Sequence, residues 1–213
     1  MVIHGDCLEE LARMEEDSVD LVVTDPPYNI GKDYGNDSDR QSEEEYVEWL
    51  TKVGTEVMRV AKPTAWVLVF NGVDRIKTTI DAFGEENHVW VSCWYAPNKR
   101  SKSLYGYNLW QPLIMFRGEG RKWLKLRDFY SFTTGQEKYG HPTPKPQKLI
   151  EKLIVDFSEE GDLVLDPFLG SGTTSAASEL LDRRHVGIEC NQEYVDIARS
   201  RLEMAKSQIK LPF

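Results

Sequence analysis

The sequence predicts an α/β fold built on a twisted, mostly parallel sheet with helices on both faces. Three observations predict it. Short β-rich runs alternate with helical patterns from end to end. Several of these runs close on a carboxylate: Asp6, Asp25, Asp166 and Glu189. One of them, "VLDPFLGSGTT" (164–174), passes through a glycine-rich turn into a helix.

The elements follow in order. Strands are expected at "VIH", "DLVVT", "AWVLVF", "HVWVSCWY", "QPLIMF", "DLVLD" and "RHVGIE". Ser42 followed by Glu45 forms a capping box, after which Tyr46, Leu50, Val53 and Val57 recur at helical spacing. Pro63 marks the exit from that helix. "PQKLIEKLIVDF" repeats its apolar positions at similar intervals. A last helix from about Asn191 carries Tyr194, Ile197, Ala198, Arg201 and Leu202 around a partly apolar face. There is no internal repeat and no low-complexity linker.

At 213 residues and 40% hydrophobic, the chain can bury one sizeable core, so residues 1–213 are expected to form a single domain with a small insertion within about 98–138. No apolar run approaches the roughly 20 residues that span a bilayer. "MVIHGDCLEE" enters structure at once, leaving no room for a signal peptide. Cys7, Cys93 and Cys190 are scattered and form no CxxC pair, and the four histidines are dispersed. This fits a reducing cytoplasm and predicts no metal centre. Net charge is −9, yet residues 99–127 hold eight basic residues and one acid, leaving −16 on the remainder. A basic island in an acidic body is either a solvated loop face or a site for a polyanion.

In the glycine-rich turn, Gly170 and Gly172 let the backbone bend tightly and approach a ligand. No lysine follows Gly172, which disfavours a triphosphate loop. Ser175 stands at the third position of a dinucleotide fingerprint, and Asp166 would repel a pyrophosphate. S-adenosylmethionine fits better, because it is cationic and carries no phosphate. Glu189, nineteen residues beyond Gly170, has the spacing of an acid that accepts ribose hydroxyls. Its other reading is an N-cap acid before the last helix.

"DPPY" (25–28) follows the second strand. An exocyclic amino group on a nucleobase is a poor nucleophile, since its lone pair is delocalised into the ring. Asp25 supplies an acceptor that can draw such a nitrogen toward tetrahedral geometry. Pro26 and Pro27 fix the turn so that the Pro26 carbonyl points one way, and Tyr28 offers a flat surface for an extruded base. The plainer reading is an ordinary post-strand turn.

"DPPY" and "DPFLGSGTT" together resemble the catalytic and cofactor motifs of amino-group DNA methyltransferases. With the catalytic motif first, they resemble the circularly permuted beta class. "HGDCLEEL" (4–11) and "HPTPKP" (141–146) are similar to that class too, and the resemblance spans most of the chain except roughly 98–138. It implies a Rossmann-like methyltransferase fold, S-adenosylmethionine as cofactor, and direct methyl transfer to a flipped base. By resemblance, Asp25, Pro26, Pro27 and Tyr28 are catalytic. Asp6 and the backbone of Cys7 meet the cofactor's adenine, Glu189 takes the ribose, and Cys190 is a further cofactor contact. Asp166, Gly170, Gly172, Thr173 and Thr174 surround the methionine end, Lys145 lies near the cofactor's carboxylate, and Phe168 and Asp25 are further cofactor contacts.

Flanking "QPLIMF", a core strand with which Trp110 is expected to pack, lie two stretches that mix charge with aromatics. They give Lys99, Arg100, Lys102, Tyr105, Arg121, Lys122, Lys125 and Arg127 as candidate DNA contacts. The implied substrate is double-stranded DNA, methylated at adenine N6 more readily than cytosine N4. The resemblance also admits a homodimer and a cognate restriction endonuclease as partners. Two rivals stand beside it: an RNA or glutamine methyltransferase, whose glycine-rich motif would precede the catalytic one, and a DNA-binding protein that has lost catalysis.

Overall fold

The computed structural model describes residues 1–31, 41–99, 101–103, 106–117, 128–134 and 144–209. In chain order these form β1 (Val2–His4), α1 (Cys7–Ala12), β2 (Val19–Thr24), α2 (Glu43–Val60), β3 (Ala61–Phe70), α3 (Ile76–Phe83) and β4 (His88–Tyr95). There follow β5 (Ser101–Ser103), β6 (Gly106–Asn108), β7 (Trp110–Phe116), β8 (Phe129–Ser131), α4 (Gln147–Phe157), β9 (Leu163–Asp166), α5 (Thr173–Leu180), β10 (Arg184–Glu189) and α6 (Gln192–Ile209). The main sheet runs β1-β10-β9-β2-β3-β7-β4-β8, with β7 antiparallel to both its neighbours and every other pairing parallel. β5 and β6 make a separate two-stranded hairpin inside the basic segment.

Two apolar cores flank the sheet. On one face Tyr46, Leu50, Val53 and Val57 of α2 meet Val22, Val67 and Ile114. On the other, Leu149, Ile150, Leu153 and Ile154 of α4 meet Leu21, Leu68 and Leu113. Alternate strand residues thus serve opposite faces, as the pleat requires. The capping box at the start of α2 is present in both directions: Ser42 Oγ accepts from the Glu45 N–H at 3.2 Å, and Glu45 from the Ser42 N–H at 2.9 Å. No described helix is long and apolar enough to cross a membrane.

Three expectations need adjustment. The chain passes from Val60 straight into β3, so Pro63 lies within a strand. The β2–β3 register shifts between Val19 and Leu21, and Pro63, which has no N–H to donate, sits opposite that irregularity. Trp110 is 38% exposed: it opens β7 opposite Tyr95, at the end of the strand rather than over the core. β5, β6 and β8 were not expected, being only three residues each and lacking an apolar run.

Candidate active site

From β9 the chain crosses through α5 to β10 on one side. From β2 it crosses through α2 to β3 on the other. The paired carboxyl ends of β9 and β2 therefore form a topological switch point, where a crevice opens in sheets of this kind. Asp166 ends β9 and Thr24 ends β2, and the Thr24 hydroxyl donates to Asp166 Oδ1 at 3.0 Å across the gap. Asp25 follows directly. The two carboxylates that the motifs singled out in isolation thus share one site.

Asp166 is buried and its oxygens also accept from the Thr174 hydroxyl (2.7 Å) and the Phe168 N–H (3.1 Å). Burial, the largest cause, pushes its carboxyl up to about 6; the three hydrogen bonds oppose this and the Asp25 charge adds to it. The turn beyond needs its glycines. Gly170 and Gly172 have φ of 53° and 86°, and a Cβ at Gly172 would lie 2.7 Å from Ala198 of α6. Beneath the turn, buried Arg201 donates to the Ser171 carbonyl at 3.0 Å and to the Thr173 hydroxyl at 3.0 Å.

Glu189, ending β10, accepts from the Gly170 N–H at 2.8 Å and from the Asn191 N–H at 2.8 Å. Asn191, not Glu189, caps α6, its side chain accepting from the Glu193 N–H at 2.9 Å. Asp6 caps α1 through Oδ1, which accepts from Leu8 and Glu9. Cys7 is buried, which pushes its thiol up to about 12 and keeps it un-ionised. A cavity spans these elements, lined by Asp6, Cys7, Glu189 and Cys190 at one end and by Asp25, Pro27 and Lys145 at the other. Asp166, Phe168, Gly170, Thr173 and Thr174 lie between. Pro26, Tyr28 and Gly172 are not among the lining residues; Gly172 acts instead by shaping the turn.

The turn at residues 25–28 is braced on several sides. Tyr28 Oη donates to Asp25 Oδ1, and Lys145 forms an ion pair with Asp25 Oδ2. The Lys145 ammonium stands 5.0 Å from the Phe70 ring centroid and 6.0 Å from those of Tyr28 and Trp94. Fully buried Tyr46 donates to the Pro27 carbonyl at 3.1 Å. Asn29, at φ 57°, exchanges two 2.9 Å hydrogen bonds with the Gln41 backbone and so ties the turn to the start of α2. Lys145 was expected near the cofactor's carboxylate; here it lies against Asp25, and it is the single Lys or Arg among the described residues lining the cavity.

Residue-type reasoning missed Trp49, Phe70, Tyr194 and Gln111. The Trp49 ring stands 5.5 Å from that of Phe168, making an aromatic wall in the cavity. A tryptophan beside the apolar stripe of an acidic helix was the available signal. Of the candidate DNA contacts, Lys99 is half-buried with its ammonium 5.8 Å from the Trp94 ring centroid, and Lys102 lies on β5. Arg100, Tyr105, Arg121, Lys122, Lys125 and Arg127 fall outside the described residues, as does the "HPT" of "HPTPKP". Arg117 folds back onto the Ala61 carbonyl at 2.8 Å.

Residues 19–200 match the family model described as DNA methylase, the N6/N4 methyltransferases. The chain is 31% identical over 233 residues to the type II methyltransferase M.HpaI of Haemophilus parainfluenzae, covering 95% of this chain and 74% of that protein. It is 30% identical over 247 residues to the DNA adenine methyltransferase YhdJ of Escherichia coli, covering 96% and 83%. The solved structure of the Thermus thermophilus protein TTHA0409, described as a DNA modification methylase and complexed with S-adenosyl-L-methionine, aligns with a TM-score of 0.74 at 26% identity over 96% of this chain and 93% of that one. On the match of the family model and of both relatives, the chain belongs to this family of N6/N4 DNA methylases.

Proposed function

We propose that this DNA methylase transfers a methyl group from S-adenosylmethionine directly to N6 of an adenine flipped out of double-stranded DNA. The observation that carries the reading is the meeting of Asp25 and Asp166 at one crevice, the first partly exposed and the second buried. The donor set suits the cofactor. Phe168 and Trp49 offer a wall for an adenine ring, and Glu189 offers an acceptor for ribose hydroxyls. Asp166 has room for a cation, and Lys145 is a cation for a carboxylate. When bound, S-adenosylmethionine supplies an electrophilic methyl group on its sulfonium.

The chain's own residues prepare the nucleophile. Asp25 and the Pro26 carbonyl accept the two N–H groups of the target amine, which draws the nitrogen lone pair out of the ring. Tyr28 stacks on the base and holds it against re-entry into the duplex. No cysteine acts as a nucleophile, in keeping with direct transfer. Adenine is favoured by "DPPY" and by the likeness to YhdJ. The order of the motifs, catalytic first, supports the beta-class arrangement, with residues 98–138 as a DNA-recognition insertion in a single domain. The shortness of that insertion supports a homodimer, the type II name of M.HpaI supports a cognate endonuclease, and three cysteines held as thiols support a cytoplasmic setting. Mass spectrometry of nucleosides from unmethylated genomic DNA, incubated with protein and S-adenosylmethionine, tests the base. N6-methyladenine is expected; N4-methylcytosine would transfer the same clamp to the other amine, and the absence of both products would refute the reading.

A further inference from the structure

We propose that Gln111 is a positioning residue for methyl transfer: it orients the Tyr28 hydroxyl and, through it, the Asp25 carboxylate. The inference rests on reading the turn at 25–28 as the target-base clamp. Gln111 is the second residue of β7, the strand that runs against the rest of the sheet, and pairs across it with Trp94. It is 6% exposed, and a buried primary amide costs stability unless its groups are bonded. Its neighbours at Leu113 and Met115 on the same face of β7 are apolar core residues, so an amide here is out of pattern. Its Nε2 donates to Tyr28 Oη.

The direction of this chain of hydrogen bonds follows from chemistry. Ionised Asp25 can only accept, so the Tyr28 proton points to Asp25 Oδ1. The phenol oxygen then offers only lone pairs to Gln111, which must turn its NH2 toward it. Lys145, 3.5 Å away, is a second donor to the same oxygen. Tyr28 is thereby held at its hydroxyl from β7 and from the approach to α4. Its ring plane and the plane of the Asp25 carboxylate are set before a base arrives. Misplacing such a pair by about 1 Å can cost up to a hundredfold in rate.

The test measures kcat, KM for DNA and cofactor affinity with the full chain, unmethylated genomic DNA and radiolabelled S-adenosylmethionine. Gln111→Met keeps length and removes the donor; Gln111→Glu keeps shape and turns donor into acceptor, and stands in if the first variant fails to fold. We expect about tenfold or greater loss of kcat in both, larger for Gln111→Glu, with cofactor affinity unchanged. In a Tyr28→Phe background, Gln111→Met should cause no further loss, since the hydroxyl it acts on is gone. A Gln111→Met enzyme within twofold of the parent, or losses that multiply in the double variant, would overturn the inference. Asp25→Ala separates the two levels. If that variant stays active, the clamp reading itself fails; if it is inactive while Gln111→Met is not, only the role of Gln111 falls.

Discussion

Three of the four lone-pair positions on the Asp166 carboxylate are taken by Thr24, Phe168 and Thr174, which leaves one on Oδ2 for a ligand. Burial raises this acid to about 6, so near neutrality it is ionised and below that pH it is largely protonated. A cationic ligand favours the ionised form. Affinity for S-adenosylmethionine should therefore rise with pH through about 6 and weaken roughly tenfold for each unit below it. Calorimetric titration across pH 5 to 8 checks this, and Asp166→Asn should flatten the profile while weakening binding at pH 7.5. A wild-type affinity independent of pH over that range would remove Asp166 from the cofactor's cationic end. The aspartate was legible in the sequence from its place before a glycine-rich turn. Its partner Thr24 was not, because it lies 142 residues away and only the sheet brings it near.

Among elements, the turn between β9 and α5 is shaped by α6, a helix that the motif does not contain. Gly172 is required twice: by its φ of 86° and by the 2.7 Å that a Cβ would leave to Ala198. Gly172→Ala should cost on the order of 2–4 kcal/mol from backbone strain and overpacking. Denaturant unfolding would show it as a lowered midpoint at unchanged slope, accompanied by loss of cofactor affinity. The seven expected strands and the capping box of α2 were legible because periodicity and capping are local. β5, β6 and β8 were not, since strands of three residues carry too little pattern. Gln111 illustrates the same limit: within "QPLIMF" it reads as the polar start of a core strand, and only its pairing geometry turns it toward Tyr28.

On the scale of the whole molecule, residues 99–127 carry +7 and the remainder of the chain −16. The acidic remainder repels DNA phosphates, so contact should be confined to this basic stretch of sequence and fall steeply with salt. Lys99→Ala combined with Arg100→Ala should weaken binding by a similar factor for all DNA sequences. It should also reduce the slope of log affinity against log salt by about 1–2. A footprint and slope identical to the parent's would place the DNA elsewhere.

The two halves of the site come from distant parts of the chain, and on the proposed reading they divide the labour: Asp25 activates the amine, while the β9–α5 side holds the cofactor. The most direct measurement is nucleoside mass spectrometry of DNA treated with the Asp25→Ala variant, alongside calorimetry of the same preparation with S-adenosylmethionine. Methylated base is expected to fall by at least about a thousandfold while the cofactor still binds and the fold is retained. Methylation near the parent's level would contradict this division.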